Sequence, residues 1–382
     1  MKGNAVLTKP DPLAGYAAIA RQVANAGVTE VAGDVVIDDR LFEPYSFRGK
    51  FYIRPIFVND DAVDLTINPT SPGQPASVAR RPQSAALGVI DNLTTGDAGS
   101  DYTLNLEPEF PDCIGTPGCA AGVAGNLPID FVPPVINKFP LVQTFRIVQP
   151  SNYARTILIE QLEAAGVKVD APAVEANPVK LLPPKDSYLS SQKIAELMGL
   201  PYADDAKLIL KVSYNLGADT TLLLYGATQG VQNMSAALEA EKTNLAANYG
   251  IPSSGYSFVD GSGGGPTTAI NMAVTKLLSD MIARPCFPAF FDALPSLGVD
   301  GLLAIVTDFE SDPTLAGAAG NVHAKDGTAA SGSASGILLQ GQALAGYVYT
   351  KSGKRLIFEL VVNNVNRAPS TTSIKSIRTR AK

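Results

Sequence analysis

Leu210–Asp219 reads LKVSYNLGAD, and its meaning depends on two later strings, VDGSG at Val259–Gly263 and HAKDGT at His323–Thr328. Ser213 and Asn215 stand two residues apart, a spacing that does not share a helix face. At a helix-to-loop junction, however, both side chains point into one cleft; elsewhere they are polar interruptions of a helix. Lys325 stands close to Gly327 in a strand with glycine-rich flanks. That pairing suits a cation holding a carboxylate while the strand edge takes an extended peptide, although alone it reads as a surface turn. VDGSG, followed by two further glycines, lacks the Lys-Ser/Thr and the strand-to-helix setting of a phosphate loop, and reads as a structural turn.

Outward from these strings the chain divides by pattern. Asp11-Pro12 suits a helix start, Ile19, Val23 and Ala26 recur at helical spacing, and Gly27 ends the run. NAVL before it and VAGDVVIDD (Val31–Asp39) after it read as strands, giving a β-α-β unit. Ser151 caps a second helix bearing Ile157, Leu158 and Leu162, followed by the strand VKV. Between these units, Thr70 to about Phe139 is rich in Pro, Gly, Thr and Asp, with alternating segments such as YTLNL that predict a small β-rich domain. Pro172–Pro184 reads as a linker. Predicted helices follow at Ala203–Tyr225, Asn233–Tyr249, Thr268–Ala283 and Phe287–Leu297. A short strand is expected within Asn321–Ala330, and ALAGYVYT and KRLIFELVV, joined by Lys351-Ser352-Gly353, read as a hairpin.

Composition excludes several functions. The 382 residues hold 30 Lys+Arg against 36 Asp+Glu, a net charge of −6, which gives no basic surplus for a nucleic-acid backbone. One His rules out a multi-His metal site, and three Cys rule out a four-Cys zinc site or a dense disulfide scaffold. Apolar runs fall far short of the ~20 residues of a transmembrane segment. Cys113 and Cys119, in the loop PDCIGTPGCA, suit a small disulfide-closed loop, and Cys286 reads as a buried, inert thiol. Met1-Lys2-Gly3 leading into NAVL reads as a strand and not as a secretion leader with a cleavage site.

Taken together and in order, the three segments resemble the penicillin-binding-protein-4 type of D-alanyl-D-alanine carboxypeptidase/endopeptidase, within the serine β-lactamase and penicillin-binding superfamily. GDVVIDDRLF (Gly33–Phe42), NDDAVDLTINPT (Asn59–Thr70) and LGVDG (Leu297–Gly301) fall where such proteins carry similar strings, so the resemblance spans nearly the whole chain. It implies an α/β plus β fold, a transpeptidase/β-lactamase-like antiparallel sheet flanked by helices, with an inserted α/β domain that carries a small β-rich domain. The implied boundaries are 1–70 with 140–172 for the inserted domain and 71–139 for the nested one. Residues 178–366 would form the C-terminal part of the catalytic domain, and the basic, Ser/Thr-rich composition of 367–382 predicts a disordered tail. The implied chemistry is acyl transfer by a serine in an S-x-x-K motif, acting on peptidoglycan peptides in the periplasm or cell envelope, without cofactor or metal. Ser213 would relay a proton to the leaving group, Asn215 would hold the motif's Lys and the substrate amide, and Lys325 would face the substrate carboxylate. The N–H of Thr328, reached past Gly327, would donate to the oxyanion.

Two departures accompany the resemblance. The family's S-x-x-K lies upstream of the inserted domain, so a chain opening inside that domain is expected to lack the nucleophile and be impaired, and β-lactams bind covalently only where it is present. The second half is then expected to expose apolar surface and an unpaired sheet edge. Ser190-Ser191-Gln192-Lys193 is the one remaining S-x-x-K string; Ser190 or Ser191 reads first as a helix N-cap, and Ser190, paired with Lys193, second as the nucleophile of a Lys-activated esterase of small acyl substrates. A non-catalytic cell-wall-binding protein is the third reading. The other departure is Asp326, where the family has Thr or Ser. Its charge opposes a substrate carboxylate by ~1–4 kcal/mol at about 4 Å, and an ion pair with Lys325 would divert the cation. His323, two residues before Lys325 in the strand, shares its face and is either a site residue or an edge-surface histidine.

Overall fold

A computed structural model describes residues 11–133, 138–333 and 336–367. The chain divides after Met198 into two compact units, each a mixture of helices and small sheets.

In the first unit, helix α1 (Ala14–Asn25) buries Ala20 and Val23 at helical spacing. It begins two residues later than Pro12, because the Asp11 side chain accepts from Leu13 N (2.9 Å) in a turn ahead of the helix. The NAVL strand lies outside the described residues. Strand β1 stops at Glu30–Val31, shorter than the VAGDVVIDD pattern predicts. Beyond it, side chains take over the role of a ladder partner. Asn177 brackets Ile37, accepting from its N–H and donating to its carbonyl (2.8 Å each), while Asp34 is held by Arg155. Strands β2 (Tyr45–Phe47) and β3 (Phe51–Ile53) pair as a hairpin. Next, β4 (Ala62–Asn68) lies between β5 (Ser77–Arg81) and β9 (Leu141–Arg146), antiparallel to both. A separate sheet sets β6 (Gly88–Gly96) parallel to β8 (Ala120–Pro128), with β7 (Thr103–Glu107) antiparallel on the other side.

Helix α2 (Pro150–Ala164) is the unit's central helix. Tyr153, Ala154 and Ile157 join the apolar cluster formed by Leu65, Ile67, Leu127 and Phe145 from the sheets. Ile159 and Leu162 face α1 instead, and the following strand β10 (Lys168–Val169) pairs parallel with β1. A helix buried on two sides must place any charge with partners. Arg155, fully buried, donates to both Asp34 and the carbonyls of Pro172 and Glu175. Cys113 and Cys119 form the expected disulfide.

The second unit opens with α3 (Tyr202–Val212) and α4 (Asn215–Thr228), where the sequence pattern predicts one continuous helix. Ser213 breaks it by adopting φ 57° as the C-cap of α3. Asn233 caps α5 (Met234–Tyr249) by accepting from Ala236 N at 2.9 Å, and Gly250 closes it in the left-handed conformation. The short strands β11 (Tyr256–Ser257) and β12 (Thr268–Ala269) pair, which delays the next helix, α6 (Asn271–Met281), to three residues after Thr268. Helix α7 (Phe287–Ala293) ends before Leu297, since Leu294 turns extended and gives its carbonyl to Lys211. Cys286 is exposed rather than buried, at the turn entering α7.

Strands β13 (Val322–Ser333), β14 (Gly336–Tyr349) and β15 (Arg355–Arg367) form an antiparallel sheet in that order. The predicted hairpin is β14–β15, and β13 runs longer than the short strand expected, through a register shift at Ala329/Ala330. One face of the sheet is covered by α6 and α7: Leu278, Leu294, Phe287 and Phe291 pack around Tyr347, with Ala345 and Ile357 beside them. On β15, an edge strand among the described residues, Leu356 and Leu360 stay exposed. Arg367 belongs to β15, and the rest of the basic tail lies outside the described residues.

Candidate active site

The Ser213-Tyr214-Asn215 turn is held from beneath. Tyr214 N–H donates to Ile209 O at 3.0 Å, and the Tyr214 ring occupies the space a side chain on Gly217 would need, only 2.3 Å from where a Cβ would lie. Glycine at 217 is therefore a requirement of the turn. Ser213 ends one helix and Asn215 begins the next, so the two side chains leave from a helix–helix junction, half-buried.

Two residues before Ser213, Lys211 is buried and forms an ion pair with Asp300 through both carboxylate oxygens (2.7 and 2.8 Å), donating as well to Leu294 O. Asp300 also accepts from Ser296 N at 2.9 Å. Gly301 follows at φ 59°, its missing side chain leaving room for the Lys211 carbonyl. The same loop is stitched to β13: Leu297 N donates to Val322 O (2.9 Å), Ala324 N donates to Pro295 O (3.0 Å), and Ser296 bridges to His323. One segment, 294–301, thus joins the Ser213–Asn215 turn to the start of the strand carrying Lys325. Lys211 and Asp300 were not among the residues singled out from sequence. The signal was present in the LGVDG string and in a lysine at the apolar end of α3, but neither specifies the other without the fold.

The VDGSG segment is a turn, as its composition indicates. Buried Asp260 accepts from Ser262 N (3.0 Å) and Gly264 N (2.9 Å). Buried Asp219 of α4 accepts from Gly261 N at 2.9 Å, and Gly261 packs so closely on Ala218 O that a Cβ would lie 2.6 Å from it. The turn fixes α4, and through it Asn215.

On β13, the Lys325 ammonium reaches Asp326 Oδ1 at 3.2 Å and Asp326 O at 2.5 Å. His323 is half-buried, with its ring 4.2 Å from that of Phe291 and its Nε2 3.1 Å from Gly320 O. Burial holds its pKa below the ordinary histidine range. It is therefore a packed residue next to the helix-covered face and not a surface histidine of the strand edge. Gly327 and Thr328 are exposed farther along the strand.

Ser190 lies in the first unit, in an exposed single 3₁₀ turn over Ser190–Gln192. No α-helix follows, so neither Ser190 nor Ser191 is an N-cap of one; Pro201 and the exposed, irregular run before it disfavour a helix there. Lys193 pairs with Glu196.

Residues 2–382 match the model of the D-Ala-D-Ala carboxypeptidase 3 (S13) family, and the chain belongs to that family. It is 26% identical over 383 residues to a D-alanyl-D-alanine carboxypeptidase of Actinomadura sp., covering 94% of this chain and 64% of that relative. The chain thus spans less than two thirds of the curated relative's length. In fold it resembles penicillin binding protein 4 of Haemophilus influenzae, with a TM-score of 0.67 at 16% identity, covering 96% of this chain and 76% of that one. The same protein solved with a novel β-lactam gives a TM-score of 0.65 at 18% identity, covering 97% and 76%.

Proposed function

We propose that the chain contributes to a D-Ala-D-Ala carboxypeptidase/endopeptidase site acting on peptidoglycan stem peptides in the bacterial cell envelope. Ser213, Asn215 and Lys325 are its contributed groups. Support comes chiefly from the 294–301 segment, which ties the Ser213–Asn215 turn and the Lys325 strand into one framework through Lys211–Asp300. Within it, Ser213 passes a proton to the leaving group, Asn215 orients the substrate amide, Lys325 draws the terminal carboxylate, and the Thr328 N–H donates to the oxyanion. The corresponding division places an insertion in 1–70 with 140–172, a nested module in 71–139, and the site-bearing part in 178–366.

The esterase reading based on Ser190 is less favoured. A lysine activates a serine by accepting its proton, and the Lys193 ammonium is instead turned to Glu196 in an exposed turn. Two measurements separate the readings. First, a peptide ending in D-Ala-D-Ala is titrated into the labelled protein, and amide shifts are followed. Shifts at Ser213–Asn215 and Lys325–Thr328, weakened in Lys325→Ala, support the proposal; a bound peptide that perturbs neither segment rejects it. Second, intact mass and peptide mapping after exposure to a penicillin locate any acyl group, and an adduct on Ser190 would favour the esterase.

A further inference from the structure

The register of the C-terminal sheet places three residues in one cross-strand row. Lys325 of β13 is opposite Ala345 of β14, which is opposite Glu359 of β15. Residues directly opposite in an antiparallel ladder project from the same face. Ala345 and Ile357, which precedes Glu359 by two positions, both pack into the α6–α7 aromatic cluster, so this is the helix-covered face. A methyl group is all that stands between a lysine and a glutamate whose backbones lie about 10 Å apart, two strand spacings of ~4.8 Å. That span is within the combined reach of the two side chains.

The glutamate end of the row is incomplete. Glu359 Oε2 is shut off from solvent and accepts no hydrogen bond among the described residues. Burial raises its pKa above the ordinary glutamate range. A buried acceptor without a donor is costly, and a cation brought to it would relieve that cost. The lysine end is committed elsewhere. Asp326 projects from the opposite face, so Lys325 must curl around the strand edge to reach it, and the pair is partly solvated, with side chains 26% and 15% exposed. Partly solvated pairs of this kind contribute little stability. Of the other charges on this side, Arg355 of β15 lies over the Phe287 and Tyr347 rings at 5.0 and 6.0 Å, and Lys276 and Asp280 of α6 pair with each other at 2.9 Å.

We propose that Glu359 is a second carboxylate partner for Lys325, and that the lysine exchanges between Asp326 at the strand edge and Glu359 across Ala345. Glu359 is thereby a positioning residue: it draws the ammonium onto the face from which Lys325 projects, whereas Asp326 draws it off. The inference rests on reading Lys325 as the cation of the proposed site, and its test is independent of turnover.

The test is the titration of the Glu359 carboxyl carbon by NMR in selectively labelled protein, assigned with Glu359→Gln. In the unmodified chain it titrates above ordinary glutamates. Asp326→Asn removes the competing charge and leaves Lys325 only the neutral Asp326 carbonyl, so the ammonium shifts toward Glu359, whose midpoint falls by about one pH unit or more, as expected for a carboxylate gaining a cation within 4–6 Å. Adding Lys325→Met to that variant brings the midpoint back up. Asp326→Thr is the second variant, with the same expectation, should the asparagine compromise folding. A midpoint unmoved by both Asp326 substitutions overturns the proposal, as does a fall that persists without Lys325. Loss of peptide binding with the coupling intact would count against the site reading alone.

Discussion

Asp326 occupies a position where one side chain sets the balance between two charges. Its carboxylate binds the Lys325 ammonium and adds negative charge beside the place proposed for a substrate carboxylate. At about 4 Å that opposition is ~1–4 kcal/mol, depending on the effective dielectric. Asp326→Thr is therefore expected to tighten binding of a D-Ala-D-Ala peptide by about tenfold or more, and to change binding of the peptide amide far less. Isothermal titration with both ligands checks this. Lys211–Asp300 makes a different prediction. Lys211 is 6% exposed, so Asp300→Ala leaves a buried ammonium without its counter-charge. Asp300 itself is partly solvated, which sets the expected loss at the lower end, about 3 kcal/mol in urea denaturation. A loss below ~1 kcal/mol would mean that the pair is not the main tie between the Ser213 turn and the 294–301 loop. Sequence reading singles out Ser213, Asn215 and Lys325 as candidates because their strings are ordered and unusual. It missed Lys211, Asp300 and Glu359, since a buried charge is recognisable only once its surroundings are folded.

Among elements, the turn at Asn59–Asp61 has the most unusual backbone, with φ of 51°, 57° and 50° at three successive non-glycine residues. Asn and Asp tolerate this left-handed region better than other residues, yet three in a row is costly unless the surroundings fix them. The fixing contacts are visible: Ile147 N donates to Asp61 O at 2.8 Å, Arg146 to Asp60 O at 2.6 Å, and Val58 N to Asp61 Oδ1 at 3.2 Å. Asp61 is 1% exposed, and burial pushes its pKa up to about 8 from 3.8, with Asp60 adding to the rise and Arg146 opposing it. Between those values the unfolded chain has released the proton and the folded chain has kept it, so stability falls as pH rises from about 4 to about 8 and levels off above. Asp61→Asn keeps the acceptor and removes the titration, so its melting temperature should vary less with pH across that window. A wild-type slope equal to the variant's would reject the role. The Cys113–Cys119 loop gives a second element-level expectation: closing so short a loop is worth about 2 kcal/mol, so reduction should lower stability by about that amount in dithiothreitol-treated protein.

For the whole molecule, the stretch before the second unit is an open, mostly exposed part of the described chain. Leu181, Leu189, Ile194 and Leu197 are all more than half exposed. Few buried contacts and an exposed backbone make a protease-accessible segment. Brief trypsin treatment should cut first at Lys193, which is 60% exposed, yielding fragments that end and begin there by mass spectrometry. First cleavage within α2 or β14 would contradict that order of local stability.

Ser151 lies inside α2, which starts at Pro150 and not at a Ser151 cap, but sequence alone determined other local and chemical features of this protein: the β14–β15 hairpin, the stop of α2, the disulfide loop, and the strings that place it in its family. Those depend on interactions between near neighbours or on rare residue combinations. Tertiary structure decided where VAGDVVIDD stops being a strand, why a predicted single helix breaks at Ser213, and why Cys286 faces solvent. It also decided that Lys325 meets Asp326 at the strand edge while Glu359 waits across Ala345. Several of these turn on partners far apart in the chain, Ile37 with Asn177 and Lys211 with Asp300 among them. Their pairing depends on desolvation and register, which come into being only when the chain closes on itself.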